Sequence, residues 1–181
     1  MTKEINLSIF SDGDEKLQEE KFSQAFFLYQ GKFESLKRIY GVDSAIYNNY
    51  LLTKVDQLIQ TAKIFLKQNK IEQSRMIFIK LIVLLKVYGT SEFTRRKIEI
   101  LNNLSCCLRR IGRVLESIDL LKQALDIGSK TKENLGLTYV NLSAAYSSMG
   151  DLKSALKMSK EGILELSHPA LAEGNKELMK V

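Results

Sequence analysis

The fold is decided by residues 98–127, IEILNNLSCCLRRIGRVLESIDLLKQALDI, because their pattern returns at residues 136–165, GLTYVNLSAAYSSMGDLKSALKMSKEGILE. At an offset of 38 residues, the identical positions include Asn103 and Asn141, Leu104 and Leu142, Ser105 and Ser143, and Gly112 and Gly150. Self-similarity at a fixed period of this size is typical of repeat architectures.

A third copy lies upstream, where residues 69–74 align with residues 112–117 and 150–155. Each copy predicts an amphipathic helix, a turn at Asn69, Gly112 or Gly150, and a second helix. Asparagine and glycine suit the left-handed conformation that ends many helices. Small residues are expected where the two helices cross: Ala62, Ser105 and Ser143 in the first helices, and Ser74, Ser117 and Ala155 in the second. A weaker fourth copy would centre on residues 31–33, which lie 38 residues before residues 69–71.

Neither helix of a pair can bury its apolar stripe alone, so the pairs are expected to stack. The predicted fold is all-α, a right-handed α-solenoid of stacked antiparallel helix pairs with an N-terminal helix and a C-terminal capping helix. The predicted segments are an N-terminal helical part (1–43), three repeats (44–91, 92–131 and 132–168) and the capping helix (169–181). Helices are expected at 14–30, 44–68, 71–87, 92–110, 113–128, 132–149, 151–167 and 170–180, and residues 31–43 receive no assignment.

Residues 76–88 are rich in isoleucine and valine, and alone they are also compatible with a strand. Their place inside a repeat favours a helix that neighbouring helices cover on several sides. The helix before the clear repeats is rich in aromatic residues, for which core packing is expected: Phe22, Phe26, Phe27 and Tyr29.

The repeats resemble the tetratricopeptide repeat over about residues 56–166. In the last copy, seven residues match that motif: Tyr139, Leu142, Ser143, Tyr146, Gly150, Leu152 and Ala155. Departures are the missing tryptophan, Ser159 at a position usually aromatic, and Gly162 in place of alanine. The strings LNNLS at residues 101–105 and VNLS at residues 140–143 are most similar to the kinesin-light-chain type. The resemblance is specific for the fold and unspecific for the function.

Composition agrees with a helical domain, since the 181 residues include one proline and ten glycines. Subtracting 21 acidic from 27 basic residues gives a moderate formal charge of +6. The adjacent Cys106 and Cys107 cannot connect distant segments by disulfides, so the chain is expected to be intracellular. The N-terminus lacks a secretory pattern, and no apolar run reaches the roughly 20 residues that a membrane span needs. We therefore expect a cytoplasmic protein without membrane insertion, with cytoskeletal association as an alternative.

The sequence contains no motif that indicates a catalytic site. His168 has no acid, nucleophile or metal ligand at a useful spacing, and Cys106 and Cys107 lack the spacing of a zinc site. No glycine-rich phosphate-binding motif occurs. The sequence predicts a protein that is not an enzyme and has no catalytic residue, cofactor or metal.

Binding along the inner surface is the remaining expectation, because the first helix of each pair lines the concave face. The kinesin-light-chain resemblance implies that Asn103 and Asn141 bind the backbone of an extended peptide, with Gln60 at the upstream position and Asn102 reaching the same face. The alternative is that these amides only tie adjacent helices. Four basic residues are candidates for contacts with acidic side chains of the peptide: Lys63, Lys67, Arg109 and Arg110. For the arginines, a favourable interaction with the helix dipole is the competing explanation.

The predicted function is a non-catalytic adaptor or scaffold that binds a peptide or partner protein, for which an acidic partner is a candidate. The alternative is a structural subunit of a larger assembly, such as a cytoskeletal or organellar one, held by its outer faces and ends. The apolar residues Leu171, Leu178 and Met179 favour a C-terminal end that packs against the chain itself or against a partner. A helical-repeat RNA binder is the third reading, and the repeat offsets of 38 and 43 residues and the modest charge argue against nucleic acid.

Overall fold

Helix–turn–helix pairs build the chain in a computed structural model that describes residues 6–131 and 133–167. Short 3-10 helices at Leu7–Phe10 and Ser91–Phe93 precede the first and third pairs. The α-helices are α1 (Ser11–Gln18), α2 (Phe22–Tyr40), α3 (Ala45–Lys67), α4 (Ile71–Tyr88), α5 (Thr94–Arg110), α6 (Val114–Thr131), α7 (Gly136–Ser148) and α8 (Leu152–Leu166). The described ranges contain no strand, which confirms the all-α class and places residues 76–88 in α4. The predicted capping helix at 169–181 lies outside the described residues.

One turn geometry joins the two helices of every pair. Glu20, Asn69, Gly112 and Gly150 have φ angles of 58°, 60°, 82° and 79°. The amide of the next residue donates to a carbonyl five residues back, at 2.9 Å in the first three turns and 3.0 Å in the last. This 6→1 hydrogen bond with a left-handed residue defines the Schellman motif. The left-handed turns predicted at Asn69, Gly112 and Gly150 are confirmed.

The first turn differs from the prediction. Gly31 lies inside α2, which runs unbroken from Phe22 to Tyr40, and the turn of the N-terminal pair is at Glu20. The single helix expected at 14–30 is therefore two helices, α1 and α2. A left-handed turn at a glutamate could not be predicted from the sequence, because glycine and asparagine are the residues that favour this conformation.

Small residues lie at the same distance from each turn. Counted from Glu20, Gly13 takes the position of Ala62 and Ala25 takes that of Ser74. All four are buried. A methyl group on Gly13 would overlap the ring of Tyr29, so α1 and α2 are in direct contact there. The close crossing inferred from the repeats therefore extends to the N-terminal pair.

The chain divides into two compact units, one up to Arg96 and one from Lys97 onward. The first has an aromatic core in which Phe10 and Phe33 have ring centroids 5.1 Å apart. Phe26 and Tyr29 are buried as expected, whereas Phe22 is half-buried and Phe27 is 74% exposed.

Helix α4 has one broad face buried in the core of the first unit, with residues such as Phe78, Leu81 and Leu85. Val83 and Val87 are exposed on its other side. The expectation that neighbours cover this helix on several sides is wrong for that side, because its many aliphatic residues exceed the face that the neighbouring helices occupy.

In the second unit, α6 and α7 share a core of four buried residues: Ile118, Leu121, Leu142 and Ala145. Met158 of α8 packs against this core, as do Val114, Leu125 and Tyr146. One apolar layer therefore joins α6, α7 and α8 in the second unit.

Candidate functional site

Asn102 is buried between α5 and α7. Its side-chain nitrogen donates to the carbonyl of Ile98 at 3.0 Å and to the hydroxyl oxygen of Thr138 at 2.9 Å. Its side-chain oxygen accepts from the amide of Asn141 at 2.8 Å. The expectation that Asn102 reaches an open face is therefore wrong. A buried amide must satisfy its donors and acceptor, and here two of the three partners lie on α7 and one on α5 itself.

Asn103 and Asn141 are half-buried, and both use their amide groups within the protein. Asn103 donates to the carbonyl of Glu99 at 2.8 Å. The oxygen of Asn141 accepts from the thiol of Cys106 at 3.7 Å. Burial raises the pKa of that thiol, so it stays protonated and able to donate. The bond of Asn141 joins α7 to α5, whereas the bond of Asn103 stays within α5.

The predicted basic residues are spread over both units. Arg109 and Arg110 lie in the last turn of α5, where Arg109 is half-buried and Arg110 is exposed. Lys63 is half-buried on α3, and Lys67 is exposed in the last turn of that helix. Cations in the last turn of a helix are stabilised by its dipole, which accounts for three of these positions without a ligand.

A groove of about 770 Å³ lies in the first unit, along α1 and α3, which are the first helices of successive pairs. Gln60 lines it, whereas Lys63 and Lys67 do not. Its walls combine polar and apolar side chains: Asp14, Leu17, Gln18, Leu52, Thr53, Lys54, Asp56, Gln57, Leu58, Gln60, Thr61 and Phe65. Gln18, Gln57 and Gln60 are exposed, so their amides face solvent, although the side-chain oxygen of Gln57 also accepts from the ammonium of Lys54 at 3.5 Å.

The floor of this groove holds an ion pair between a buried lysine and a half-buried aspartate. Lys54 is 2% exposed, and its ammonium group binds a carboxylate oxygen of Asp14. The hydroxyl of Tyr29 donates to the same carboxylate oxygen at 2.7 Å. The ammonium nitrogen also lies 4.7 Å from the centre of the Tyr29 ring and 5.3 Å from that of Phe10. These contacts fasten α1 to α3 and hold one wall of the groove against the other.

Burial governs the protonation of this cluster. It lowers the pKa of Lys54, and the bond to Asp14 acts in the opposite direction. Burial also raises the pKa of Tyr29 well above its ordinary value, and Asp14 adds to that shift. Sequence reasoning missed the cluster, although Lys54 stands at a core-facing position between the buried Leu51 and Leu58. No sequence pattern indicated a role for Asp14. Its place beside Lys54 depends on the turn at Glu20 that ends α1, and the sequence did not predict that turn.

A second ion pair lies at the rim. The guanidinium of Arg96 binds the carboxylate of Asp56 through two contacts of 3.1 Å. Bidentate geometry of this kind fixes the orientation of both side chains. Both carboxylates that line the groove are thus paired with a cation, and its charge is close to balanced.

Two further findings concern only the described parts of the chain. They contain no group of three or more histidine, cysteine, aspartate or glutamate side chains placed to hold a metal ion. No helix among them is both long enough and apolar enough to cross a membrane.

Comparisons with known proteins agree with the helix pairs. A family model described as tetratricopeptide repeat matches residues 96–163. The crystal structure of the TPR domain of Arabidopsis FLU is similar, with a TM-score of 0.57 and 20% sequence identity, and covers 64% of this chain and 97% of that domain. At this identity the likeness concerns the fold alone. No curated protein matches the sequence.

The kinesin-light-chain subtype stays a prediction, since neither comparison distinguishes it. The family match, the similar TPR domain and the shared turn geometry agree on the repeat itself. Residues 96–163 of this chain are therefore tetratricopeptide repeats.

Proposed function

We propose that this protein is a non-catalytic adaptor or scaffold that binds an extended segment of a partner protein. Tetratricopeptide repeats indicate a protein–protein interaction module and are typically non-catalytic. The cytoplasm is the proposed place of action, and the free thiols of Cys106 and Cys107 are compatible with a reducing compartment.

The observation that carries the proposal is the groove along α1 and α3. An extended peptide presents alternating amide and carbonyl groups, and glutamine side chains can both donate to and accept from them. Gln18, Gln57 and Gln60 supply such groups from two helices. The half-buried Leu52 and Phe65 offer apolar surface for peptide side chains. Recognition would therefore combine backbone hydrogen bonds with a few buried apolar contacts.

The proposal assigns different roles to the residues predicted from the sequence. Gln60 binds the peptide, and Asn103 keeps a side-chain oxygen that accepts no hydrogen bond from the described residues. Asn102 and Asn141 position α5 against α7. The basic residues Lys63, Lys67, Arg109 and Arg110 would favour acidic side chains in a bound segment, because opposite charges steer encounter.

A selection from random peptides tests the groove without a known partner. Peptides of twelve residues displayed on phage are selected against the full chain, and the affinities of synthetic copies are measured. We expect the double variant Gln57→Ala/Gln60→Ala to weaken binding about tenfold, since each hydrogen bond contributes about 0.5–1.5 kcal/mol. The control is Gln123→Ala, an exposed glutamine of α6 outside the groove. Equal affinities for both variants, or no selected peptide, would contradict the proposal.

A structural subunit of a larger assembly is the second candidate function. It is favoured by large apolar side chains that stay exposed on α8, namely Leu152, Leu156, Ile163 and Leu164. Such a subunit would hold its neighbours by these outer surfaces, and the groove variants would leave its assembly unchanged.

A further inference from the structure

Helix α8 carries an apolar stripe that the described residues leave open. Leu152, Leu156 and Ile163 are 69%, 59% and 63% exposed. Spacings of four and eleven residues place all three on one side of an α-helix. Single exposed aliphatic residues are ordinary, but an aligned row of three on one helix indicates an interaction surface.

The internal repeat identifies what such a row does. Thirty-eight residues earlier, its equivalents on α6 are Val114, Ile118 and Leu125. Those three pack in the core that α6 forms with Leu142 and Ala145 of α7. The row on α8 is therefore the repeat equivalent of an α6 surface that packs against helix α7.

The chemistry of the later copy differs from that of the earlier one. On α5, Asn102 and Cys106 form hydrogen bonds with residues of α7. Their equivalents on α7 are Val140 and Ala144, which offer no polar side-chain group. Val140 is 44% exposed. The surface made of Val140, Leu152, Leu156 and Ile163, here called the α7–α8 face, is therefore apolar across its width, and a helix bound there needs aliphatic side chains.

A row of lysines runs beside the stripe. Lys153, Lys157 and Lys160 are exposed and succeed one another at spacings of four and three residues. They lie about 100° around α8 from the apolar stripe. None of them forms an ion pair within residues 6–131 and 133–167. A partner with acidic residues along one edge would complement this charge.

We propose that the α7–α8 face binds an amphipathic helix of a partner protein, one with an aliphatic stripe and acidic residues along one edge. The aliphatic residues cover the exposed stripe, and the acidic residues meet the lysine row. The chain's own residues 168–181 contain two glutamates and two lysines, so their side chains bring no acidic excess. The inference does not depend on the groove along α1 and α3.

A designed peptide pair tests this surface on the full chain. The first peptide is an 18-residue helix with leucines along one stripe and glutamates beside it, and the second has lysines in place of the glutamates. We expect the acidic peptide to bind at least about tenfold more tightly at low salt and the difference to shrink as salt increases. Equal affinities of the two peptides, or no binding of the acidic one, would overturn the proposal.

Substitutions locate the site. Leu156→Gln/Ile163→Gln should lower the affinity for the acidic peptide about tenfold or more. The matched control is Leu115→Gln, because Leu115 is 66% exposed on α6 and lies outside the face. Since all three side chains are exposed, the fold is expected to survive, and circular dichroism checks it. Equal effects of the face variant and the control would contradict the assignment.

Variants at Leu171 and Leu178 distinguish a partner helix from the chain's own C-terminal residues. If those residues occupy the face, Leu171→Gln/Leu178→Gln will release it and tighten peptide binding about tenfold or more, since a tethered competitor has a high effective concentration. That outcome would overturn the proposal of a separate partner. An affinity within about threefold of the wild type supports it.

Discussion

The side-chain oxygen of Asn102 accepts a hydrogen bond from the amide of Asn141 at 2.8 Å. Two residues that the repeat pattern places on a ligand-binding surface therefore bind each other across α5 and α7. Asn141 is the repeat equivalent of Asn103, the neighbour of Asn102, but the buried amide of Asn102 is the one that it contacts. Asn102 and Asn141 thus connect α5 to α7.

Asn102→Ala and Asn103→Ala separate this structural role from a role in binding. Asn102 is buried and takes part in three hydrogen bonds, so its loss should lower the free energy of unfolding by about 2–3 kcal/mol. Asn103 donates one hydrogen bond within its own helix, and its loss should cost less than about 1 kcal/mol. Urea unfolding followed by circular dichroism measures both. Equal losses would mean that the connection contributes no stability.

Gly13→Ala and Gly31→Ala should have opposite effects. A methyl group on Gly13 meets the Tyr29 ring, and overpacking of this kind costs about 1–3 kcal/mol. Gly31 is exposed inside α2 with no atom near its added methyl group, so alanine there should stabilise the fold by about 0.5–1 kcal/mol. Destabilisation by Gly31→Ala would indicate that Gly31 is a turn residue after all.

Gly150→Val should break the last helix pair. At a φ of 79°, a non-glycine residue costs about 1–2 kcal/mol, and a β-branched side chain is especially strained. The midpoint of thermal unfolding by circular dichroism should fall by about 2–8 °C. Gly150→Asn serves as the control, because asparagine tolerates this conformation and should lower the midpoint less. An unchanged midpoint for valine would contradict the turn geometry.

Asp14→Asn should be more damaging than the double variant Lys54→Met/Asp14→Asn. The single change leaves the buried Lys54 ammonium without its counter-charge, at a cost of about 3–5 kcal/mol, whereas the double change removes both charges. Burial lowers the pKa of Lys54, so the folded protein releases the lysine proton at a lower pH than the unfolded chain does.

The stability of the Asp14→Asn single variant should therefore rise as the pH increases toward 10.5, the ordinary lysine value. Urea unfolding across this range measures the rise. The Lys54→Met/Asp14→Asn double variant should lack this particular rise, and identical pH profiles of the two would contradict the role of Lys54.

Tyr47→Phe should stabilise the protein at neutral pH by about 1–2 kcal/mol. The Tyr47 hydroxyl is buried and finds no hydrogen-bond partner among the described residues, and a buried polar group left unpaired is costly. Burial raises the pKa of Tyr47 from 10 to about 12, and the negative charge of Glu34 adds to that shift.

The pH dependence of the same variant follows from that pKa. Tyrosine in the unfolded chain ionises near pH 10, so the stabilising preference for the neutral phenol is complete below pH 10 and is lost as the pH rises toward 12. The advantage of phenylalanine should therefore grow by about 2–3 kcal/mol over that interval. A constant difference between the two proteins would mean that Tyr47 does not titrate as a buried group.

Three helix pairs and their turns were predictable from the amino-acid pattern alone. Asn69, Gly112 and Gly150 recur at fixed distances from small residues, and the left-handed turn depends almost entirely on the residue that adopts it. The conformational preference of single residues and the periodicity of apolar residues act over a few positions. Both can therefore be recognised in the sequence without knowledge of the tertiary contacts.

Three features depend on the packing of the folded chain: the turn at Glu20, the ion pair of Lys54 with Asp14, and the partners of the asparagines. Glu20 has no local preference for its conformation, and its carboxylate binds the ammonium of Lys70 at 3.2 Å, far away in the sequence. Asn102 and Asn141 share a repeat surface in the pattern, but their partners depend on the distance between helices. Contacts between residues distant in the chain come from packing, and packing overrides local preference where the two disagree.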